Sequence, residues 1–313
     1  MRKEFEFIDF LKHRFRLSKI GDDCAVLQVE EEKELVVTAD LLVEGVDFLI
    51  DWADATQIGH KALAVSLSDI AAMGANPRWA LVSIGVSQEL WKTDFVEKFY
   101  EGWFSLAKDF SVELVGGDIS KSEILVIDSV VIGEVEKGKA IRRDGAKVND
   151  KIFVTGFLGE AAAGLRLLKN RKSEPKRLIL RQLEPMPRIK TGRLICQNSI
   201  ASSMIDISDG LSTDLWHICK MSHVGARIFA DAIPMSEELQ RIFNFPESLE
   251  LALHGGEDFE LLFTVNPENV DKLSSLSKET QITLIGEVVA SSQIELVFKD
   301  KIDILAPKGF QHF

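Results

Sequence analysis

The chain has 313 residues, of which 46% are hydrophobic and 27% are charged, and this length suits about two globular domains. The formal net charge of -12 argues against a broad surface for nucleic acid or anionic lipid, since both require a basic face. A phosphate ligand stays open, because bound divalent cations supply positive charge locally.

Hydrophobic patterning in the first half of the chain predicts strands mixed with helices. The predicted helices cover residues 5–17, 61–74 and 92–110, and the predicted strands cover residues 35–40, 79–86, 112–115 and 124–135. The strand over 112–115 is predicted to end in a turn at Gly116-Gly117-Asp118. This order is typical of an α+β domain.

A polar segment rich in glycine and lysine, residues 138–150, is interpreted as the junction between two domains, residues 1–137 and 138–313. Beyond the junction, strands are predicted over residues 151–156, 226–230, 259–265, 282–288 and 294–298, and helices over residues 158–170, 188–198 and 211–222. No regular element is assigned to residues 171–187, which hold several charges and three prolines.

The helix predicted over residues 61–74 is the most informative element of the chain. It is apolar nearly all round, with Thr56 as its expected N-cap and Gly74 as its stop. It nevertheless carries Asp69 near its C-terminal end, where burial and the helix dipole both disfavour a carboxylate. Ser66 lies one turn earlier on the same face. Asp69 therefore requires either a metal ion or N–H donors from a neighbouring loop.

Several other aspartates share a context, because most of them stand at a strand end or in a glycine turn. The whole set is Asp22, Asp23, Asp40, Asp69, Asp118, Asp206 and Asp209. One such turn carries little weight, because aspartate and glycine are ordinary turn residues. If the set converges, however, like charges repel, and two or more Mg²⁺ ions bound to a nucleotide polyphosphate are the natural solution.

Known phosphate-binding signatures are absent from the sequence. There is no Walker pattern, no G-x-G-x-x-G after a strand and no kinase-type catalytic loop. A phosphate site would therefore depend on metals and scattered basic groups. Arg142 and Arg143 suit a phosphate contact or form a solvated basic pair, and Tyr100 either covers an adenine ring or packs within its helix.

Other catalytic and metal chemistries are disfavoured. His60, His217, His223 and His254 show no zinc-ligand spacing, and no serine or cysteine has a convincing base partner for covalent catalysis. Three cysteines without a CxxC pair are typical of free thiols in a reducing cytoplasm. The first residues lack the apolar segment of a signal peptide, and no run of about 18 apolar residues predicts a membrane span.

Seven ordered blocks of residues resemble the thiamine-monophosphate kinase family. They are Gly21-Asp-Asp-Cys-Ala25, Thr38-Ala-Asp40 with Val43-Glu-Gly45, Lys61-Ala-Leu-Ala-Val65, Leu67-Ser-Asp69-Ile-Ala-Ala-Met-Gly74-Ala75, Gly116-Gly-Asp118, Ile205-Asp-Ile-Ser-Asp-Gly-Leu211 and Gly255-Gly-Glu-Asp258. The family belongs to the superfamily of aminoimidazole-ribonucleotide synthetase. The resemblance implies an N-terminal α+β domain that binds ATP and Mg²⁺ and forms a dimer-interface β-barrel, and a C-terminal α/β domain that completes the active site.

The resemblance also implies an activity, direct in-line transfer of the γ-phosphate of ATP to thiamine monophosphate in a cytoplasmic homodimer. By position, the implied metal ligands are Asp23, Thr38, Ala39 through its carbonyl, Asp40, Asp69, Asp118, Asp206 and Asp209. The implied ATP contacts are Tyr100, Gly117, Asp118, Arg143 and Ser208, and the implied substrate contacts are Asp47, Glu257 and Phe310. Asp69, Asp118 and Asp209 are expected to take part most directly in the transfer.

Three positions depart from the family pattern. Asp47 stands where the family usually has a histidine, and Ala39 stands where a hydroxyl side chain is frequent. Residues 119–121 replace a segment that often reads Thr-Thr and a basic residue. Two alternatives therefore remain: another enzyme of the superfamily that acts on a different small phosphorylated acceptor, and a non-catalytic module that binds Mg-nucleotide or thiamine diphosphate.

Overall fold

The computed structural model describes residues 4–17, 29–276 and 280–310. Two compact units make up the chain: the first covers Met1–Ile70 and Asn76–Gly138, and the second covers Ala71–Ala75 and Lys139–Phe313. Among the described residues, no helix has the length and apolar character needed to cross a membrane.

The first unit mixes four helices and four strands among its described residues. The elements are α1 (Glu4–Phe15), β1 (Lys33–Val43), α2 (Ala55–Ala72, whose last two residues cluster with the second unit), β2 (Asn76–Val86), α3 (Gln88–Trp91), α4 (Phe95–Phe110), β3 (Glu113–Lys121) and β4 (Val126–Glu136). The helix predicted over 92–110 corresponds to α4, which begins at Phe95, and the short helix α3, capped by Ser87, was not predicted. The α+β character expected for this half is confirmed.

The four strands form one sheet in the order β1-β4-β2-β3. The pairs β1–β4 and β2–β4 are antiparallel, and β2–β3 is parallel. Within the described part of this unit, the sheet is open and does not close into a barrel.

Helix α2 lies against one face of this sheet and crosses α4 at two glycines. A Cβ on Gly59 would lie 1.9 Å from the carbonyl oxygen of Phe99, and a Cβ on Gly102 would lie 1.9 Å from that of Thr56. The two helices therefore approach backbone to backbone, which buries the apolar surface of α2 that the sequence predicts.

The expected N-cap of α2 was wrong. Asp54, not Thr56, holds the helix start: its Oδ1 accepts a hydrogen bond from the Gln57 amide at 2.9 Å and one from the Thr56 hydroxyl at 2.5 Å. An aspartate carboxylate satisfies amide groups that the first turn leaves unpaired, so it competes well with threonine. Gly74, with φ +68°, follows the helix end as expected.

The Gly116-Gly117-Asp118 segment lies inside β3 and is not the predicted turn. The β2–β3 register shifts between Ala80 and Leu81, which marks a β-bulge. Gly117 has φ +147°, and a Cβ there would lie 1.9 Å from the carbonyl oxygen of Val82. The glycines therefore allow close strand packing and a bulge. In the sequence, the same Gly-Gly-Asp pattern resembles a turn.

The second unit contains the remaining described elements. They are β5 (Lys151–Thr155), α5 (Glu160–Lys169), α6 (Lys176–Leu183), α7 (Ile189–Gln197), β6 (Ala201–Asp206), α8 (Leu211–Ser222), β7 (Gly225–Phe229), α9 (Glu237–Ile242), α10 (Phe245–His254), β8 (Leu261–Val265), β9 (Ile282–Val289), β10 (Ile294–Phe298) and β11 (Lys301–Ile304). Helices α6, α9 and α10 and strands β6 and β11 were not predicted.

The α/β description of this C-terminal unit requires correction. Its seven-stranded sheet has the order β11-β10-β7-β9-β5-β8-β6, and of its pairings only β7–β10 is parallel. The chain thus alternates helices and strands without building a parallel sheet, and α+β describes both units. Strand β8, which pairs with β5 and β6, is buried along its whole length.

Candidate functional site

In the first unit, β1 and α2 bring three predicted residues together. Alternation along β1 puts Thr38 and Asp40 on one face, toward α2, where Ser66 and Asp69 lie three residues apart. The Ser66 hydroxyl donates to Asp40 Oδ2 at 2.7 Å, and the Thr38 hydroxyl donates to Asp69 Oδ2. Each carboxylate therefore has a hydroxyl donor from the facing element.

The surroundings of Asp40 and Asp69 disfavour the negative charge on the Asp40 carboxylate. Burial raises the pKa of Asp40 to about 6, the Asp69 charge adds to the rise, and the hydrogen bond from Ser66 opposes it. Asp128 on β4 raises the same pKa further. Asp128 was missed from the sequence because it lies within an apolar strand, and a lone carboxylate there was the only signal.

Asp118 is placed differently from the other predicted ligands of this unit. The register sets Asp118 beside Ser83, and Ser83 opposite Asp128. Because directly paired residues share a face, Asp118 and Asp128 lie on the face opposite to Thr38 and Asp40. Asp118 is exposed there.

Tyr100 lies in an aromatic cluster on α4. Its ring centroid is 6.0 Å from that of Phe7 and 5.3 Å from that of Phe99, and the side chain is buried. Burial raises the pKa of its hydroxyl group. The packed alternative is thus what the described structure presents, and the adenine contact stays a prediction.

Asp47 and Ala39, two positions that depart from the family pattern, lie at and after β1. The Oδ2 atom of Asp47 accepts a hydrogen bond from the Val43 amide at 2.8 Å, and the Lys61 ammonium group donates to the Asp47 carbonyl at 3.3 Å. The carboxylate thus stabilises its own turn, a role open to aspartate but not equally to the longer histidine. Ala39 is exposed on β1.

In the second unit, the loop between β6 and α8 carries three predicted residues. Strand β6 ends at Asp206, which is buried, and Ser208 and Asp209 follow. Gly210 has φ +117°, a backbone conformation that strains other residues, so the glycine makes the tight entry into α8 possible.

Asp214 is a buried carboxylate beside these residues that the sequence analysis did not single out. Its Oδ2 atom accepts hydrogen bonds from the amides of Asp209 at 3.2 Å and Gly210 at 3.0 Å. Burial raises the pKa of Asp214 to about 8, and the charges of Asp206 and Asp209 contribute. Three carboxylates therefore lie close together around this loop. The signal was an aspartate in the first turn of a helix, which usually indicates an N-terminal charge effect.

Glu257 is anchored to the same loop. Its amide donates to the Ser208 carbonyl at 2.7 Å, its φ is +66°, and the Gln182 side chain donates to Glu257 Oε2. Nearby, burial alone would raise the pKa of Glu260, but the hydrogen bond and charge of Arg188, helped by Arg181, hold that pKa below its usual range. The loop that carries Glu257 is thus tied to two half-buried arginines.

Two further predicted residues, Arg143 and Phe310, lie near Asp209. Burial lowers the pKa of His217, the Arg143 charge lowers it further, and the Asp209 charge opposes this, so Arg143 and Asp209 are both neighbours of His217. The Phe310 amide donates to the Asp209 carbonyl at 3.1 Å. The structure therefore gathers Asp206, Ser208, Asp209, Glu257, Arg143 and Phe310 around one loop.

The donors of both groups fit a hard divalent cation, because they are carboxylate and hydroxyl oxygens. Among the described residues, the buried hydroxyl of Ser129, the register partner of Asp40, has no hydrogen-bond partner. Burial and neighbouring carboxylate charges raise the pKa values of Asp40 and Asp214, an effect that a bound cation would offset. In the described part of the chain, no three His, Cys, Asp or Glu side chains form a ready-made metal site. Asp23, with Asp22, lies outside the described residues.

Comparisons with known proteins find similarity over nearly the whole chain. Residues 21–135 match the family described as AIR synthase related protein, N-terminal domain, and residues 147–299 match its C-terminal domain. The thiamine-monophosphate kinase of Escherichia coli (strain K12) is 38% identical over 326 residues, which cover 99% of this chain and 98% of that protein. The thiamine-monophosphate kinase of Bacillus subtilis (strain 168) is 39% identical over 305 residues, 94% and 93% of the two chains.

Solved structures of similar proteins have the same fold as this chain. The thiamine-monophosphate kinase of Stenotrophomonas maltophilia K279a has a TM-score of 0.86 at 36% identity and covers 94% of this chain and 96% of its own. AaThiL complexed with AMPPCP and TMP has a TM-score of 0.80 at 36% identity and covers 100% and 99%. Hydrogenase maturation protein HypE shares the fold, with a TM-score of 0.78 at only 18% identity.

Proposed function

Because the chain belongs to the thiamine-monophosphate kinase family, we propose that it transfers the γ-phosphate of ATP to thiamine monophosphate, forming thiamine diphosphate and ADP. The observation that carries this proposal is similarity over practically the whole chain, including 100% coverage by the structure of AaThiL with AMPPCP and TMP. The higher identity to these kinases than to HypE favours this activity over another within the same fold.

In this reaction, an oxygen of the substrate phosphate forms a bond to the γ-phosphorus while the bond from that phosphorus to the β-phosphate bridging oxygen breaks. The transition state is loose, so the protein has to align the two phosphates and balance their charge. A phosphate oxygen is already ionised at neutral pH and needs little help from a general base. Side chains held on rigid elements, as Asp69 is on α2, suit this task.

We assign Mg²⁺ ions as the counter-charge of the two acidic groups. The residues proposed to hold them are Asp23, Thr38, Asp40, Asp69 and Asp118 in the first unit, with Ala39 contributing its carbonyl, and Asp206 and Asp209 in the second. The cations would neutralise charge on the transferred phosphoryl group. The hydroxyls of Thr38 and Ser66 orient the carboxylates of Asp69 and Asp40, and Asp214 holds the backbone of the Asp209 turn.

The remaining sites are proposed as contacts to the two small molecules. Tyr100, Gly117, Asp118, Arg143 and Ser208 are assigned to ATP, and Asp47, Glu257 and Phe310 are assigned to thiamine monophosphate. An aromatic ring at Phe310 suits a thiazole or pyrimidine ring, and Arg143 suits a phosphate. We also propose that residues 1–137 and 138–313 act as the two functional domains, and that the enzyme works in the cytoplasm, where ATP is made.

We further propose a homodimer that forms through the free face of the N-terminal sheet. Val37 and Leu41 project from β1 on the face opposite to α2, and their exposed fractions are 63% and 58%. An apolar strand face of this kind usually marks an interface, and pairing with a second copy would extend the two sheets toward the barrel that the family resemblance implies.

The first experiment incubates the purified protein with Mg-ATP and thiamine monophosphate, with parallel reactions that contain thiamine instead or added EDTA. We expect thiamine diphosphate from the monophosphate alone, ADP as the co-product and no product with EDTA. Tight ATP binding without diphosphate formation would contradict the proposal and favour another acceptor or a binding module. An Asp47→His variant would then test whether the substrate contact is what this chain lacks.

A further inference from the structure

The carboxyl-terminal residues Lys308–Phe310, here called the strap, lie along the start of α8. Three consecutive strap amides donate hydrogen bonds to it: Lys308 to the Ser212 hydroxyl at 3.4 Å, Gly309 to the Thr213 hydroxyl at 3.0 Å and Phe310 to the Asp209 carbonyl at 3.1 Å. The strap therefore belongs to no sheet but is fixed by acceptors from one short segment, residues 209–213.

The fit at the centre of the strap is close. A Cβ on Gly309 would lie 2.2 Å from the Asp209 carbonyl oxygen and 2.6 Å from Thr213 Oγ1. Any side chain at this position would push the strap away from α8, because a backbone oxygen at that distance has nowhere to move. Gly309 is therefore required by contact and not by a left-handed backbone.

Thr213 supplies the acceptor that defines this fit. It is 6% exposed and lies in the first turn of α8, where its own amide donates to the Gly210 carbonyl at 2.9 Å. A β-branched side chain in a helix has few rotamers, so the hydroxyl stays in one place. Thr213 touches the strap and is assigned neither to metal nor to a phosphate.

The strap carries the aromatic ring assigned to the substrate. The Phe310 side chain is 49% exposed, so a planar ligand can reach it, while its backbone is bound to Asp209. The residue that presents a carboxylate to the proposed cation thus also holds the backbone of the aromatic contact. The Asp214 carboxylate secures the amide of that same Asp209.

We infer that Thr213 is a positioning residue for thiamine monophosphate: with Gly309 it aims Phe310 at the substrate and thereby sets substrate affinity without affecting ATP. This inference rests on the proposed function, in which Phe310 contacts the substrate. Loss of the Thr213 hydroxyl leaves the Gly309 amide without its acceptor, and one buried hydrogen bond corresponds to about a five-fold change in affinity.

The test compares Thr213→Val, which keeps the shape but removes the acceptor, with Thr213→Ser, which keeps the hydroxyl. We expect Thr213→Val to raise the KM for thiamine monophosphate about five-fold, with the KM for ATP and kcat within about two-fold of the parent, and Thr213→Ser to restore the KM. Phe310→Ala sets the scale, and the Thr213→Val/Phe310→Ala double variant should match Phe310→Ala alone.

The outcomes separate the inference from the function it rests on. An inactive parent enzyme overturns the proposed function, and an unchanged KM in Phe310→Ala overturns the substrate contact and the inference with it. A raised KM in Phe310→Ala beside an unchanged KM in Thr213→Val overturns the inference alone. If Thr213→Val does not fold, Gly309→Ala replaces it, and equal changes in the KM values for both substrates would show a general structural role.

Discussion

Asp214 offers the sharpest quantitative prediction, made for the Asp214→Asn variant in the absence of divalent cations. Both hydrogen bonds to Asp214 end on the same oxygen, Oδ2, so one amide carbonyl oxygen can accept both of them. The substitution keeps this geometry and removes the negative charge that lies beside Asp206 and Asp209. Metal-free Asp214→Asn is therefore expected to be more stable than the parent at neutral and alkaline pH.

The magnitude follows from the pKa of Asp214, which rises from 3.8 to about 8 on folding. Because the folded pKa exceeds the unfolded one, the carboxyl group favours the folded state fully below pH 3.8 and loses this contribution as the pH rises to about 8. Each pKa unit corresponds to about 1.4 kcal/mol. Between pH 5 and pH 8, the parent is expected to lose on the order of 4 kcal/mol relative to the variant.

The assay is thermal and urea unfolding in EDTA at pH 5 and pH 8, at one protein concentration. Comparison of the two pH values removes any constant effect of the new amide group on packing. Asp300→Asn, at an exposed position, is the matched control for replacing an aspartate by an asparagine. A variant that loses stability equally at both pH values would refute the reasoning, since it would mean that the ionised carboxylate is what the two amides require.

Two further predictions concern the first unit. Asp69→Asn is expected to leave the fold intact and to abolish Mg-AMPPCP binding in a calorimetric titration, because the metal assignment requires an ionised ligand beside Thr38; unchanged affinity would disprove that assignment. Val37→Asp is expected to convert a dimer into monomers in light scattering, because it places a charge among the exposed apolar side chains of β1. Val46→Asp, at an exposed turn position outside β1, is its control, and a Val37→Asp dimer would contradict the interface.

Elements with strong local signals were predictable from the sequence. Helix α2 was identified from its apolar composition, and most strands from their β-branched runs, because such patterns reflect burial of one side or of the whole element. Helix α9 was missed because it is short and polar. Helix α6 was missed because its charges and the prolines around it are typical of a loop, although its buried residues Leu178, Ile179, Gln182 and Leu183 recur at helical spacing.

The candidate site shows the same division. The sequence singled out Asp40, Asp69, Asp206 and Asp209, since carboxylates near glycine turns and in an apolar helix are unusual, and the family resemblance supplied their chemistry. Asp214 escaped notice because a first-turn aspartate has an ordinary explanation in the helix dipole. Its importance depends on which amides it meets, and those lie four and five residues earlier in a loop of unknown shape.

The sequence alone thus determined the family and the chemistry of the candidate site, because short motifs in a fixed order can be recognised without knowing their neighbours in space. It did not determine which residues contact one another. Three features depend on strand register and on contacts between distant segments. They are the hydrogen bond between Thr38 and Asp69, the sheet face on which Asp118 lies, and the hydrogen bond from the strap to Thr213. A shift of one residue in a strand would reverse every face, so these features exist only once the sheets have formed.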